Sequence, residues 1–421
     1  MSEDARQTKP ASPYAAIALT AVIFINLLGF GIIIPLLPFY AKSFDAPAWQ
    51  IALIFSAYSI GSFFGEPLWG RLSDRFGRKP ILILTIMGNC LCYLALAFAP
   101  NILAAFLIRL VGGLASGNGA VIQGYLADVT PPEQLTRQMS YQGAAWNVGM
   151  IVGPSLGGLL ANPDAGPDGF RLPLFVASAL AGACVLAILV VIRESNHRRE
   201  VETRRTRLLS GLKDMVENPV LGRLMLLSFI VGFAFTGIES IFGLWANERF
   251  GWTPREIGVC FAFVGVAAAI SQMFLTGPLS ERFGEGRMLA VGMSLTVLGS
   301  GLLVVSPGSA ATIALMCLTA VGQSVAFPNV ASMISRTADP HRQGQIQGLN
   351  NACGALSRVA GPLSAGLVFP LNINAPFLLG AALVVPAIFL ALSASRRAPP
   401  CPDSRTRDKR PIAPPVIDAQ G

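Results

Sequence analysis

Of the 23 Asp and Glu residues only Glu66 and Glu239 fall inside long apolar runs, and of the 31 Lys and Arg residues only Arg109 and Arg358 do. An ionised group within such a run costs about 2.5–3.5 kcal/mol on insertion scales unless a partner or a wet cavity receives it. These four residues are therefore the first to read for chemistry. Glu239 is the deepest acid, and two readings stay open: it binds and releases a proton, or it is a packing acid bonded to a neighbouring helix. Phe235, Glu239 and Phe242 are spaced four and three apart, which puts them on one helical face. Arg358 stands just ahead of Gly361-Pro362, with Glu239 or a freed backbone carbonyl as its candidate partner. Glu66 sits beside Pro67 near the end of its run, within reach of lipid headgroups.

Other chemistries find no support. The seven cysteines show no metal-ligand spacing, and the two histidines, His197 and His341, lie in polar stretches between runs. No Ser/His pair, His/Asp cluster or metal spacing falls within the runs, so neither an enzyme nor a metal or other cofactor is expected. The remaining polar groups that could line a cavity are Asn26, Asn118, Gln123, Asn147, Gln323 and Asn329, each equally able to hydrogen-bond between helices.

The elements that must position these groups follow from composition. Hydrophobic residues make up 53% of the chain and charged residues 13%, whereas soluble domains carry about 25% charged residues. At about 1.5 Å per residue, some 20 apolar residues cross the ~30 Å hydrocarbon core. Twelve such runs are expected, from Tyr14–Leu37 to Ala375–Ser393, giving an all-α integral membrane protein. The first run is too long for a cleaved signal and leads straight into Pro35 and Pro38, so it is expected to remain as the first helix. Sorting Lys and Arg by loop puts 25 on the side holding both termini and four on the other, which places both ends in the cytoplasm. The net charge of +8 thus reports topology, not nucleic-acid binding. The reading divides the chain into a tail (1–13), a six-helix unit (14–192), a charged linker (193–218), a second six-helix unit (219–393) and a Pro-rich, charged tail (394–421) expected to be disordered. Membrane lipids are the surroundings, and the linker arginines are suited to anionic headgroups.

Between the second and third runs lies Gly70-Arg71-Leu72-Ser73-Asp74-Arg75-Phe76-Gly77-Arg78-Lys79, a dense charged hinge with two glycines. A cytoplasmic basic turn explains the cations but neither the glycines nor Asp74. This pattern closely resembles the loop between the second and third helices of major facilitator superfamily transporters. By that resemblance Gly70, Asp74, Arg75, Gly77 and Arg78 belong to a conformational switch. Arg78 would pair with Asp128, and Asp74 would face the amino end of the eleventh helix, where exposed N–H groups and the helix dipole favour a carboxylate.

Three further stretches resemble the twelve-span drug:proton antiporters of that superfamily, the tetracycline exporters among them. The run Leu28 to Pro38 is similar to their first helix, though Asn26 stands where several relatives have an acid, and the acid expected near Cys92 is also absent. Arg109 to Gly117 resembles the fourth-helix motif whose arginine is tied to proton transfer, with Gly112 replacing a common glutamine. Gly149-x-x-x-Gly153-Pro154-x-x-Gly157-Gly158 matches the motif of exporters that run as antiporters. Glycines four apart also make a smooth face for close helix packing.

The chain repeats itself. Gly277-Pro278-Leu279-Ser280-Glu281-Arg282-Phe283-Gly284 echoes Gly70 to Gly77 at an offset of 207, and Gly361-Pro362 echoes Gly153-Pro154 at 208. Six runs per repeat return each copy to the same side, so two parallel six-helix bundles related by a pseudo-twofold axis are expected, with substrate between them. Glu285 and Gly286 replace Arg78 and Lys79, so the latch is expected to rest on the first copy. The resemblance implies a secondary transporter in the cell membrane, a bacterial inner membrane, that exports amphipathic small molecules in exchange for protons. Glu239, Arg109 and Arg358 are the proton-coupling candidates, and Asn26, Asn118, Phe235, Phe242, Gln323 and Asn329 the cavity candidates. Export of a lipid or metabolite, or sensing on a transporter scaffold, remain the alternatives.

Overall fold

The computed structural model describes residues 13–130, 132–195, 218–337 and 343–395. Nearly all of both expected tails, most of the linker, both histidines and Cys401 lie outside the described residues. Within them the chain is helical throughout, without a strand.

Helix α1 (Pro13–Ile33) passes through a short 3-10 turn containing Pro35 into α2 (Leu37–Lys42). There follow α3 (Ala48–Phe76), α4 (Arg78–Ala97), α5 (Ile102–Ala115), α6 (Gly119–Val129), α7 (Pro132–Leu160) and α8 (Arg171–Val191). After the linker come α9 (Pro219–Phe250) and α10 (Pro254–Ile270), then a π-helical segment (Ser271–Thr276) and α11 (Gly277–Phe283). The chain continues through α12 (Glu285–Leu303), α13 (Ser309–Thr337), α14 (Gln343–Val368) and α15 (Ala375–Ser395). Side-chain caps start several of them: Asn101 accepts from the Ala104 amide, Asn218 from Val220 and Leu221, and Thr253 with Glu256 forms a capping box on α10.

Ten segments of the described residues are long and apolar enough to cross a membrane. The two remaining long helices, α7 and α14, are those expected as the fifth and eleventh spans. Among the described residues of α7, Val148–Leu160 forms an apolar helix shorter than a full span. Both open with polar turns, Glu133 to Gln142 in α7 and Gln343 to Asn351 in α14, and α14 also carries Arg358 in its body. Two expected spans are interrupted. The fourth breaks at Ser116-Gly117-Asn118, and the eighth widens into the π-helical segment.

Packing pairs recur along the chain. In the first half α1 packs on α7 and α8, α4 on α8, and α3 on α5; in the second α9 packs on α14 and α15, α12 on α15, and α10 on α13. Between halves, α3 lies against α14 and α7 against α10. The glycines of α7 divide between these partners. Gly149 and Gly153 meet Leu27, Leu28 and Gly31, and Gly157 meets the Ile32 carbonyl, whereas Gly158 meets Pro254 and Gly258 of the other half. A β-carbon at Gly153 or Gly158 would overlap the facing backbone, so the motif is required for close approach on two sides.

Call the side bearing Gly70–Lys79 the basic face. The close approaches between halves gather toward the far face: Ala48 and Ala52 against Gly366, Ser56 against Val359, Lys42 against Asn247, and Ile151 to Gly158 against Pro254 to Gly265. The apolar core divides accordingly. One cluster runs through the first half and on to Phe242, Trp245 and Phe377 near the far ends of the second, while Leu221, Leu224, Met333 and Ile346, toward its basic face, belong to a separate cluster.

Candidate functional site

The hinge of the first half is a single residue. Gly77, at φ +104°, is the only non-helical position between α3 and α4. Such a φ disfavours side chains, and the space a β-carbon would take is filled by the Glu194 carboxylate. Glu194 accepts the Arg78 amide at 2.7 Å and the Lys79 amide at 3.1 Å, placing negative charge on the exposed N–H groups of α4. Arg78 then reaches three ways: to Asp74 at 2.7 Å, to the Ser73 hydroxyl at 2.6 Å and to Asp128 at 3.3 Å. Its guanidinium lies where a β-carbon on Gly124 would stand. The Arg78–Asp128 contact is the one the motif implied. Gly70 is half-buried against Ala120, and Arg75 is exposed over the Phe76 ring.

The second copy also holds an ion pair, with its signs exchanged, although the latch was expected to rest on the first copy. Glu285, at the position of Arg78, accepts from Arg336 at 3.0 Å and from the Ser332 hydroxyl at 2.6 Å. Arg336 and Ser332 lie 208 residues beyond Asp128 and Gly124. Where Gly124 leaves room for the long arginine, Ser332 fills the space over the shorter glutamate. Ser280, the counterpart of Ser73, is left with a buried hydroxyl that has no partner, because no guanidinium extends back to it. Gly284 keeps the positive φ of Gly77, at +88°.

Deeper in the first half, Arg109 is 5% exposed. Its guanidinium stands 4.4 Å from the Tyr58 ring, makes no hydrogen bond or ion pair among the described residues, and has a sealed, unpartnered Nε. Tyr58 donates to the Ser116 hydroxyl, which also accepts from Asn89 Nδ2 at 3.0 Å. Ser116 opens the break in the fourth span. There Trp69 Nε1 donates to the Leu114 carbonyl at 2.6 Å, and Asn118, 5% exposed, has an unpartnered Nδ2. Phe30 packs on Tyr58 with ring centroids 5.2 Å apart.

On the other side, Arg358 is exposed and Glu239 half-buried; they lie within electrostatic reach without forming an ion pair. Tyr58 is also within reach of Arg358 and Glu66, so the charged groups of both halves converge around that ring. The cavity candidates separate. Phe235 is half-buried, like Asn26, whose Oδ1 is sealed without a partner. Phe242 is instead fully buried against Trp245, Trp252 and Phe261, a core residue and not a cavity wall. Gln323 donates to the Val231 carbonyl across two helices, and Asn329 to Val325 of its own helix. Sequence reasoning missed Glu194, Arg336, Gly124, Ser332 and Tyr58, none of which carries a local signal.

Comparison with known proteins fits this architecture. The sequence pattern described as the Major Facilitator Superfamily matches residues 19–253 and 224–418. The chain is 31% identical over 357 residues to "Tetracycline resistance protein, class G" of Vibrio anguillarum, covering 83% of this chain and 88% of the relative. It is 27% identical over 382 residues to "Multidrug resistance protein 2" of Bacillus subtilis (strain 168), covering 89% and 94%. In fold it resembles a bacterial homologue of the human lysosomal transporter Spinster in an inward-facing and occupied conformation, with a TM-score of 0.75 at 14% identity over 92% of this chain and 98% of that one, and the nucleoside transporter NupG, with a TM-score of 0.74 at 15% identity over 90% of this chain and 98% of that one. Helices long and apolar enough to span a bilayer many times, together with a family match over nearly the whole sequence, establish that the chain belongs to the Major Facilitator Superfamily and is a multi-pass membrane transport protein.

Proposed function

We propose that this protein exports amphipathic small molecules in exchange for protons, by alternating access of two six-helix bundles related by a pseudo-twofold axis. In this reading the termini and the basic face are cytoplasmic, and the membrane is a bacterial inner membrane. The relatives named for tetracycline and multidrug resistance support the cargo class. The observation that carries the mechanism is the distribution of contacts: the halves meet toward the far face, while both ion-paired hinges stand at the basic face. The arrangement suits a state open toward the basic face, in which substrate enters between the bundles. Closure there would bring Asp74 to the amino end of α14, a stabilising position for a carboxylate. Glu239, with Arg358 nearby, is the proton carrier in this account, and Arg109 modulates it from the other half.

The test is an efflux panel of chemically diverse dyes and antibiotics in cells lacking their own pumps, repeated in vesicles with an imposed pH gradient. Export that follows the gradient and is uncoupled in Glu239→Gln supports the reading. Export indifferent to the gradient removes proton coupling, and no export of any compound removes the function.

A further inference from the structure

Among the described residues, no counter-charge meets the buried cation Arg109. The titratable groups facing it are Tyr58, Tyr93 and Cys92, none of them a carboxylate. An isolated buried charge is strongly unfavourable unless an opposite charge or bound polar group meets it. Tyr58 supplies a ring face, worth about 2 kcal/mol when desolvated, and that leaves the N–H donors of the guanidinium unused. Arg358, by contrast, has Glu239 within reach, and Glu66 acts on Tyr58. Arg109 is thus a buried cation that no carboxylate among the described residues meets.

The surrounding backbone points the same way. Irregular backbone at membrane depth is tolerated where it is buried in protein or lines a cavity, and the starts of half-helices in transporters direct their N–H groups at anions. The fourth span breaks at Ser116-Gly117-Asn118 and restarts as α6, in which the Ile122 amide is bonded to the Asn118 carbonyl. A second buried donor without a partner, Asn118 Nδ2, belongs to the same break. The adjoining Phe30–Tyr58 pair offers aromatic surface to the apolar part of a ligand.

We propose that Arg109 is the seat for the negative group of the transported molecule, so that the preferred cargo is an amphipathic aromatic carboxylate, its ring system lying along Phe30 and Tyr58. This rests on the exporter reading above and narrows it. The charge comes from Arg109, and the break at Ser116–Asn118 adds a further donor.

The test uses the purified full chain in lipid nanodiscs with three probes sharing one ring: pyrenebutyrate, its neutral methylamide and its trimethylammonium analogue. The carboxylate is expected to bind at least about tenfold more tightly than the amide, the factor that one charge-assisted hydrogen bond supplies. Arg109→Gln should abolish that preference, so that carboxylate and amide bind equally, and should not lower the melting temperature, because a buried uncompensated charge is removed; Arg109→Lys should keep part of the preference. Equal binding of carboxylate and amide by the native chain, tighter binding of the ammonium probe, or a preference that survives Arg109→Gln would overturn the proposal. So would displacement of the preference by excess chloride, which would make this an inorganic-anion site. In cells, export of cationic dyes without any carboxylate would sink this inference and leave the exporter reading standing. Carboxylate-selective binding without export of any compound would do the reverse.

Discussion

Reversing the charges of the second hinge should be harmless only when both are reversed together. Glu285 and Arg336 are 15% and 36% exposed at their side chains and 3.0 Å apart, and Ser332 adds a hydrogen bond to the same carboxylate. A fully exposed pair is worth 0.2–1 kcal/mol and a broken buried one about 3–5 kcal/mol. With Arg336 more than a third exposed, solvent screening holds this pair near the lower figures, about 1 kcal/mol of coupling, or roughly fivefold in an equilibrium. Glu285→Arg sets two guanidinium groups against each other and adds bulk where Ser332 stands. Arg336→Glu opposes two carboxylates. Each single variant should lower the melting temperature and slow dye efflux severalfold. The exchanged pair Glu285→Arg with Arg336→Glu, combined with Ser332→Gly, rebuilds the arrangement of Arg78, Asp128 and Gly124 and should recover most of the native rate. A double-mutant cycle on melting, read beside the efflux rate, measures the coupling. An exchanged variant no better than the singles, or singles indistinguishable from the native chain, would refute the idea that the second hinge is a sign-exchanged copy of the first.

Other perturbations follow from the same geometry. Gly77→Ala forces a side chain into a left-handed backbone position already occupied by the Glu194 carboxylate, and should destabilise by more than about 1 kcal/mol, visible as a lower melting temperature; an unchanged melt would contradict the close fit. Glu194→Gln removes the charge at the start of α4 and should cost about 0.3–1 kcal/mol, less in high salt. Gly158→Leu should hold α7 and α10 apart and abolish efflux while both hinges remain intact, and active transport by that variant would show the contact to be dispensable.

Much of this was legible in the sequence because its signals are local. A hinge of charges between apolar runs, glycines at intervals of four and a repeat at constant offset each declare themselves within ten residues or by self-comparison. The partner of Arg78 was implied by a motif and is present. The groups that complete the hinges were not legible: Glu194 lies 116 residues from Arg78, and Arg336 51 from Glu285, so nothing local joins them. The decay of the second motif looked like loss because its compensating changes, Ser332 and Arg336, sit on another helix. Phe242 shares a helical face with Glu239 by spacing alone, yet the aromatic residues around it close that end of the face. The break at Ser116–Asn118 is hidden in a run that stays long and apolar enough to be read as one span.

The central claim is that the two halves rock about the contacts at the far face, and paired distance measurements test it most directly. Spin labels at Phe76 and Gln347 report on the basic face, and labels at Trp49 and Leu367 on the far face, all four exposed, in a chain whose seven native cysteines are replaced. On adding substrate or a proton gradient, the first distance should shorten in the same population in which the second lengthens. Two distances that stay fixed, or that change in the same direction, would contradict the account.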